Sequence, residues 1–201
     1  MSKTRLEAFS DGVFAIVITL LILDVRLPPG ASPTAEAIRS LAPQIAAFVL
    51  SFIIVGVYWV AHHHMLHFVR QVNRQLLWLN LLLLLAVVFI PFPASLLGLQ
   101  LRNPLVVRLY GLTLMATNAA GLLFWIYATG HEHLVIPELS REFAGFVRRL
   151  HGSPIAVYAL AVALAGSNVW VSLTLYALVP LFFILPNPFL QRKVDALSGG
   201  G

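Results

Sequence analysis

Ser10 and Asp11 stand at the head of an apolar run from Gly12 to Leu23, with Arg5 just before them. An ionisable group at the edge of a membrane helix is costly to place, so it marks a candidate functional position. One hydroxyl, Thr19, sits inside the run among Ile16, Leu20 and Leu23. At 100° per residue, Ile16, Leu20, Leu23 and Leu27 fall within roughly 60° of one another, Thr19 about 60° off that stripe and Asp11 about 140° from Ile16. An apolar stripe with one hydroxyl beside it suits a helix lining a narrow, mostly dry ion path. Asp11 then points back into the protein, to accept hydrogen bonds from neighbouring helices. Periodicity alone does not separate a pore face from a packed face.

Other polar residues offer weaker chemistry. His62, His63, His64 and His67 invite a metal reading, because His63 and His67 are spaced i, i+4 on one helical face. No carboxylate or cysteine lies nearby to complete such a site, and three adjacent histidines point in three directions; no metal is expected there or at His131-x-His133. Asp24, near the outer end of the first apolar run, would form a negative ring if several copies surrounded an axis, with Arg26 two residues away to neutralise it. The tryptophans Trp59, Trp78, Trp125 and Trp170 read as packing or interface anchors.

These residues must be positioned by membrane helices. The chain has 201 residues, 59% hydrophobic and 10% charged, with a mean hydropathy of +0.87. A soluble domain carries about 25% charged residues, so the class is an all-α integral membrane protein. A cleaved signal peptide is the poorer reading of the first run, since further apolar stretches follow it. Cysteine is absent, which excludes disulfides and thiolate chemistry. The net charge of +5 reads as loop Lys and Arg at a membrane rather than as a nucleic-acid surface.

A spanning helix needs roughly 20 mostly apolar residues. Six such segments are expected near 8–27, 43–66, 75–98, 106–129, 154–168 and 170–187, separated by Pro28-Pro29-Gly30, by His67 to Arg74, by Arg102-Asn103-Pro104, by a long polar stretch from Gly130 to Ser153, and by Gly166-Ser167-Asn168. Pro180 is expected to kink the sixth. With the N-terminus in the cytoplasm, nine of the Lys and Arg residues (Lys3, Arg5, Arg70, Arg74, Arg141, Arg148, Arg149, Arg192, Lys193) fall inside and four (Arg26, Arg39, Arg102, Arg108) outside. That bias places both termini in the cytoplasm. Residues 1–197 form one domain in this reading, and 198–201 a flexible tail or expression remnant.

Arg5-x-x-x-Phe9-Ser10-Asp11 resembles the signature of the transmembrane protein 175 family, potassium channels of endolysosomes and bacteria. Tyr58-Trp59-x-x-His62, Asn80 and Ile90-Pro91-Phe92 are similar to further polar and proline positions of that family. The likeness is one of motifs over the first three spans; the last three match mainly in hydropathy. The resemblance implies a homotetramer in which the first helix of each six-helix chain lines a central pore, in a bacterial inner membrane. It also implies a constriction at Ile16, Leu20 and Leu23 and a potassium preference at Thr19. The permeant potassium ion is then the only ligand, with no cofactor. Lone polar groups buried in a membrane need partners, so Arg5, Ser10, Asp11, Trp59, His62 and Asn80 are expected to form one network near the cytoplasmic end.

An apolar ring gates by dewetting, so the expected activity is a potassium-permeable leak with modest selectivity. An ion-coupled transporter is the first alternative, although such proteins tend to place ionisable groups at mid-membrane, whereas Asp11 and Asp24 sit at the ends of a span. A non-conducting membrane assembly subunit is the next. An intramembrane enzyme comes last, since Ser167 has no base beside it and no Gly-x-Ser-x-Gly elbow is present.

Overall fold

The computed structural model describes residues 2–184. The 198–201 tail, the 185–187 end of the expected sixth span, and Arg192 and Lys193 therefore lie outside the described residues. The helices are α1 Lys3–Leu20, continued by a 3-10 turn Leu21–Asp24; α2 Ala35–Ser40; α3 Ala42–His67; α4 Arg74–Phe89; α5 Pro91–Leu99; α6 Pro104–Thr129; α7 Arg141–Leu164; and α8 Val169–Ile184. A short 3-10 turn at Glu132–Leu134 precedes α7. Four stretches, Lys3–Asp24, Ala35–His67, Arg74–Leu99 and Pro104–Thr129, are long and apolar enough to cross a membrane.

Helix starts follow local chemistry. The Asn73 and Ser140 side chains accept from Leu76 N at 2.8 Å and Phe143 N at 3.1 Å. Asn103 accepts from Leu105 N at 3.0 Å, just ahead of Pro104 at the first helical position. Each satisfies backbone N–H groups that a helix leaves open at its N-terminus.

Three boundaries differ from the sequence expectation. The third span is two helices, because Pro91 has no N–H to continue the ladder and α5 starts afresh there. The fifth begins at Arg141 rather than 154. Its first half is amphipathic, with Phe143 and Phe146 buried and Arg148 and Arg149 exposed, so a test for continuous apolarity reads it as a loop. The first α-helix starts at Lys3 and ends at Leu20, the chain tightening to a 3-10 turn before leaving the helix. Leu27 therefore drops out of the helical stripe. Pro154 and Pro180 both lie inside helices.

The two ends of the bundle are each tied together. At one end the Lys3 ammonium donates to the His67 carbonyl at 3.4 Å. There the 68–73 and 130–136 loops also pair, through Arg70 N to Leu134 O at 2.7 Å and Ile136 N to Phe68 O at 3.0 Å. At the other end Arg26 N donates to Gln44 Oε1 at 3.1 Å. Gly98 lets α5 close on α3 there: a Cβ at that position would lie 2.9 Å from the Gln44 Cα.

Inside the bundle α1 packs on α3 and α4, and α6 packs on α4, α5, α7 and α8. Tyrosines join the layers. The hydroxyls of Ser51 and Tyr110 lie 2.9 Å apart, Tyr58 donates to Leu114 O at 3.2 Å, and Tyr176 donates to Val107 O at 3.1 Å. Each brings a hydroxyl into an apolar interior with its partner already in place, as burial there demands.

Candidate pore helix and its polar clamp

Helix α1 has two unlike faces. Leu6, Ser10, Phe14, Val17 and Leu21 are buried, the first four on α1 and the last on the 3-10 turn. Around the helix from them, Phe9, Ile16 and Leu20 are exposed at 52%, 59% and 42%, and Leu23 is exposed at 65%. Side chains three apart eclipse in a 3-10 helix, so the tightening at Leu21 keeps Leu23 in line above Leu20. The Ile16, Leu20 and Leu23 stripe is thus exposed along the outer face of the helix.

Two separate hydrogen-bonded links hold the head of α1. Asn80 on α4 donates through Nδ2 to Ser10 Oγ at 3.1 Å. Its Oδ1 faces His62 Nε2 at 2.8 Å. With the amide oriented that way, the His62 Nε2 carries the proton and donates. All three residues are buried, and the His62 ring lies between Phe14 of α1 and Phe124 of α6, with centroids 5.5 and 6.2 Å away. The second link is Trp59 Nε1 on α3 donating to Asp11 Oδ1 at 2.9 Å, on the exposed side of the chain. No hydrogen bond joins the two among the described residues, so the expected single network is a buried chain and an exposed pair.

Arg5 belongs to neither. It is exposed, and eleven residues before Ile16 it projects within about 20° of it, on the same face as the apolar stripe. Thr19 is exposed, and its hydroxyl donates to the Ile16 carbonyl at 2.8 Å. Asp24 is half-buried at the end of the 3-10 turn; no ion pair forms between it and Arg26 among the described residues. His63, His64 and His67 are exposed on α3, and no group of three candidate metal ligands converges among the described residues.

The sequence reading missed the tyrosine links and His151. Asn118 Nδ2 donates to Tyr58 Oη at 2.7 Å and to Leu114 O at 3.0 Å, and Trp125 Nε1 donates to Ala144 O at 3.0 Å. Polar atoms inside apolar spans are the available signal, but their partners lie about sixty residues away or on another helix, and spacing does not pair them.

The chain is similar in sequence and fold to known proteins. A family profile described as "Endosomal/lysosomal potassium channel TMEM175" matches residues 5–91. A potassium channel of Streptomyces collinus is 36% identical over 185 residues, covering 89% of this chain and 90% of that one. The chain belongs to the TMEM175 family. A potassium channel of a Chryseobacterium species is 31% identical over 199 residues, covering 96% and 98% of the two chains. The crystal structure of a lysosomal potassium-selective channel TMEM175 homologue from Chamaesiphon minutus superposes with a TM-score of 0.79 at 30% identity, over 90% of this chain and 95% of that one.

TMEM175 proteins are ion channels, not enzymes, and this chain is a multi-pass membrane member. The profile ends at Pro91, so it takes in α1, α3 and α4 with both links at the head of α1. The likeness of α6 to α8 rests on the longer alignments.

Proposed function

We propose that the protein is a potassium-permeable channel that conducts passively through a pore on the axis of a homotetramer, each chain contributing α1. The observation that carries this reading is the two-faced α1. Its inner face is fixed by buried packing and the Ser10–Asn80–His62 chain, while Ile16, Thr19, Leu20 and Leu23 stand exposed along the other. Four such stripes around an axis make an apolar constriction that conducts when wide enough to stay wet. Thr19 supplies the hydroxyl ring beside it and Asp24 a cation-attracting mouth. The names of the full-length bacterial relatives support potassium as the ion.

Six crossings per chain fit this reading, α7 and α8 adding to the four apolar stretches. The Lys3, 67–74 and 130–140 segments then share the cytoplasmic side of a bacterial inner membrane, and residues 1–197 form one channel domain with both termini on that side. Potassium is the permeant ion and no cofactor is required.

The test is the reversal potential of purified protein in planar bilayers with potassium on one side and sodium on the other. A reversal displaced toward the potassium equilibrium potential is expected. Reversal near zero removes the selectivity assigned to Thr19. Silence at every voltage, from protein shown to be tetrameric, overturns the channel in favour of a transporter or an assembly subunit.

A further inference from the structure

A second site lies away from α1. A cavity of 350 Å³ opens between α3, α6, α7 and α8, walled chiefly by apolar and aromatic side chains, among them Ile54, Trp125 and Phe183. Its polar lining includes Tyr58, His64, Asn118, His151 and Tyr158. Tyr58 and Asn118 bond to each other and to the Leu114 carbonyl, and the Trp125 N–H is engaged by Ala144 O. His151 differs. Its Nδ1 lies 3.0 Å from the Val147 carbonyl, so that nitrogen carries the proton, and Nε2 is buried with no protein partner. A neutral imidazole of that tautomer presents a lone pair at Nε2, and a buried acceptor left without a donor is destabilising.

We propose that this cavity binds an uncharged, membrane-resident alcohol: a hydrocarbon body seated against the apolar walls, with its hydroxyl donating to His151 Nε2. Each part of that description is set by the lining. The size suits it, since at about 30 Å³ per water-sized group the space takes roughly a dozen heavy atoms. No Lys or Arg lines it and its other histidine, His64, is exposed; a carboxylate or phosphate head at His151 Nε2 would offer an acceptor to an acceptor. A plain alkane fills the walls but leaves Nε2 unmade. A water needs two to four polar partners, and the Tyr58, Asn118 and Trp125 donors are already engaged. A mostly apolar pocket with few placed polar groups is the usual form of a small-molecule site.

The test uses the full chain in lipid nanodiscs with a dodecanol carrying a mid-chain diazirine. After irradiation, mass spectrometry should place adducts on Ile54, Val57 or Phe183. Unlabelled 1-dodecanol should compete about tenfold better than dodecane, the value of one hydrogen bond. His151→Leu keeps the volume and removes the acceptor, so the two competitors should become equal. Val147→Phe narrows the cavity and keeps the imidazole; it should abolish the adducts, and it serves if His151→Leu does not fold. Adducts confined to the outer surface of the bundle, or equal competition by dodecane in the native chain, overturn the proposal.

Discussion

At the scale of single residues, the two links to α1 differ in what their loss leaves behind. Interhelical hydrogen bonds in membranes average only about 0.6 kcal/mol in double-mutant cycles, but orphaning a buried group costs about 1–3 kcal/mol. Asn80→Leu strands two such groups, Ser10 Oγ and His62 Nε2. It should lower stability by about 2–6 kcal/mol, read as earlier loss of the assembled protein in a thermal unfolding series. Trp59→Phe removes an exposed bond and frees the Asp11 carboxylate to solvent. It should cost about 1 kcal/mol and leave the fold intact, so any change in its current reports on function rather than folding. On the apolar stripe, Leu23→Ala should raise single-channel conductance, and Thr19→Val should move the reversal potential toward zero in a potassium–sodium gradient. An unchanged permeability ratio in Thr19→Val would remove that residue from selectivity.

At the scale of elements, close approach is decided by small residues. A Cβ at Gly111 in α6 would overlap the phenol of Tyr176 on α8 and sit 2.7 Å from Val162 Cγ2 on α7. The phenol is held by its bond to the Val107 carbonyl. Gly111→Ala should therefore force α6 and α8 apart and destabilise by about 1–3 kcal/mol, in a melting experiment on detergent-solubilised protein. Gly12, where a Cβ meets nothing within 4 Å, should accept alanine at little cost in the same assay. The first four apolar stretches were readable from residue order because Pro, Asn and charged residues punctuate them. The first half of α7 was not, since Phe143 and Phe146 hide an apolar stripe among Glu142, Arg148 and Arg149. The break at Ile90 was not either, although Pro91 stood in view: one proline does not say whether a helix bends or restarts.

At the scale of the whole molecule, the ends of the chain segments sort themselves into two layers, through the Lys3–His67 and Arg70–Leu134 contacts at one and Arg26–Gln44 at the other. Sequence reached the residues at the head of α1 through motif resemblance, while physical reasoning alone stopped at a stripe of unknown partner. It joined Arg5 to the buried polar groups because proximity in sequence does not encode direction around a helix. The chain has no cysteine, which makes assembly easy to probe. Ile16→Cys treated in membranes with a short bismaleimide should give covalent dimers, since each subunit carries one thiol facing its neighbours. Leu85→Cys, on α4 and 66% exposed, should stay monomeric under the same treatment if α4 faces lipid. Monomers from both would count against α1 at the axis.

The asymmetry of α1 has a mechanical side. It is fastened at Ser10 and runs thirteen residues onward to Leu23, a reach of roughly 20 Å at 1.5 Å per residue. Taken as a lever with its fulcrum at the polar end, it would carry the buried Phe14, Val17 and Leu21 with it. A swing of about 5° around Ser10 carries Leu23 sideways by roughly 2 Å over that reach, more than the thickness of a carbon–carbon bond, while Asn80 and His62 barely feel it. Displacement grows with distance from the fulcrum, so Ile16 moves about half as far as Leu23, and the far end of the helix is where a small force does the most.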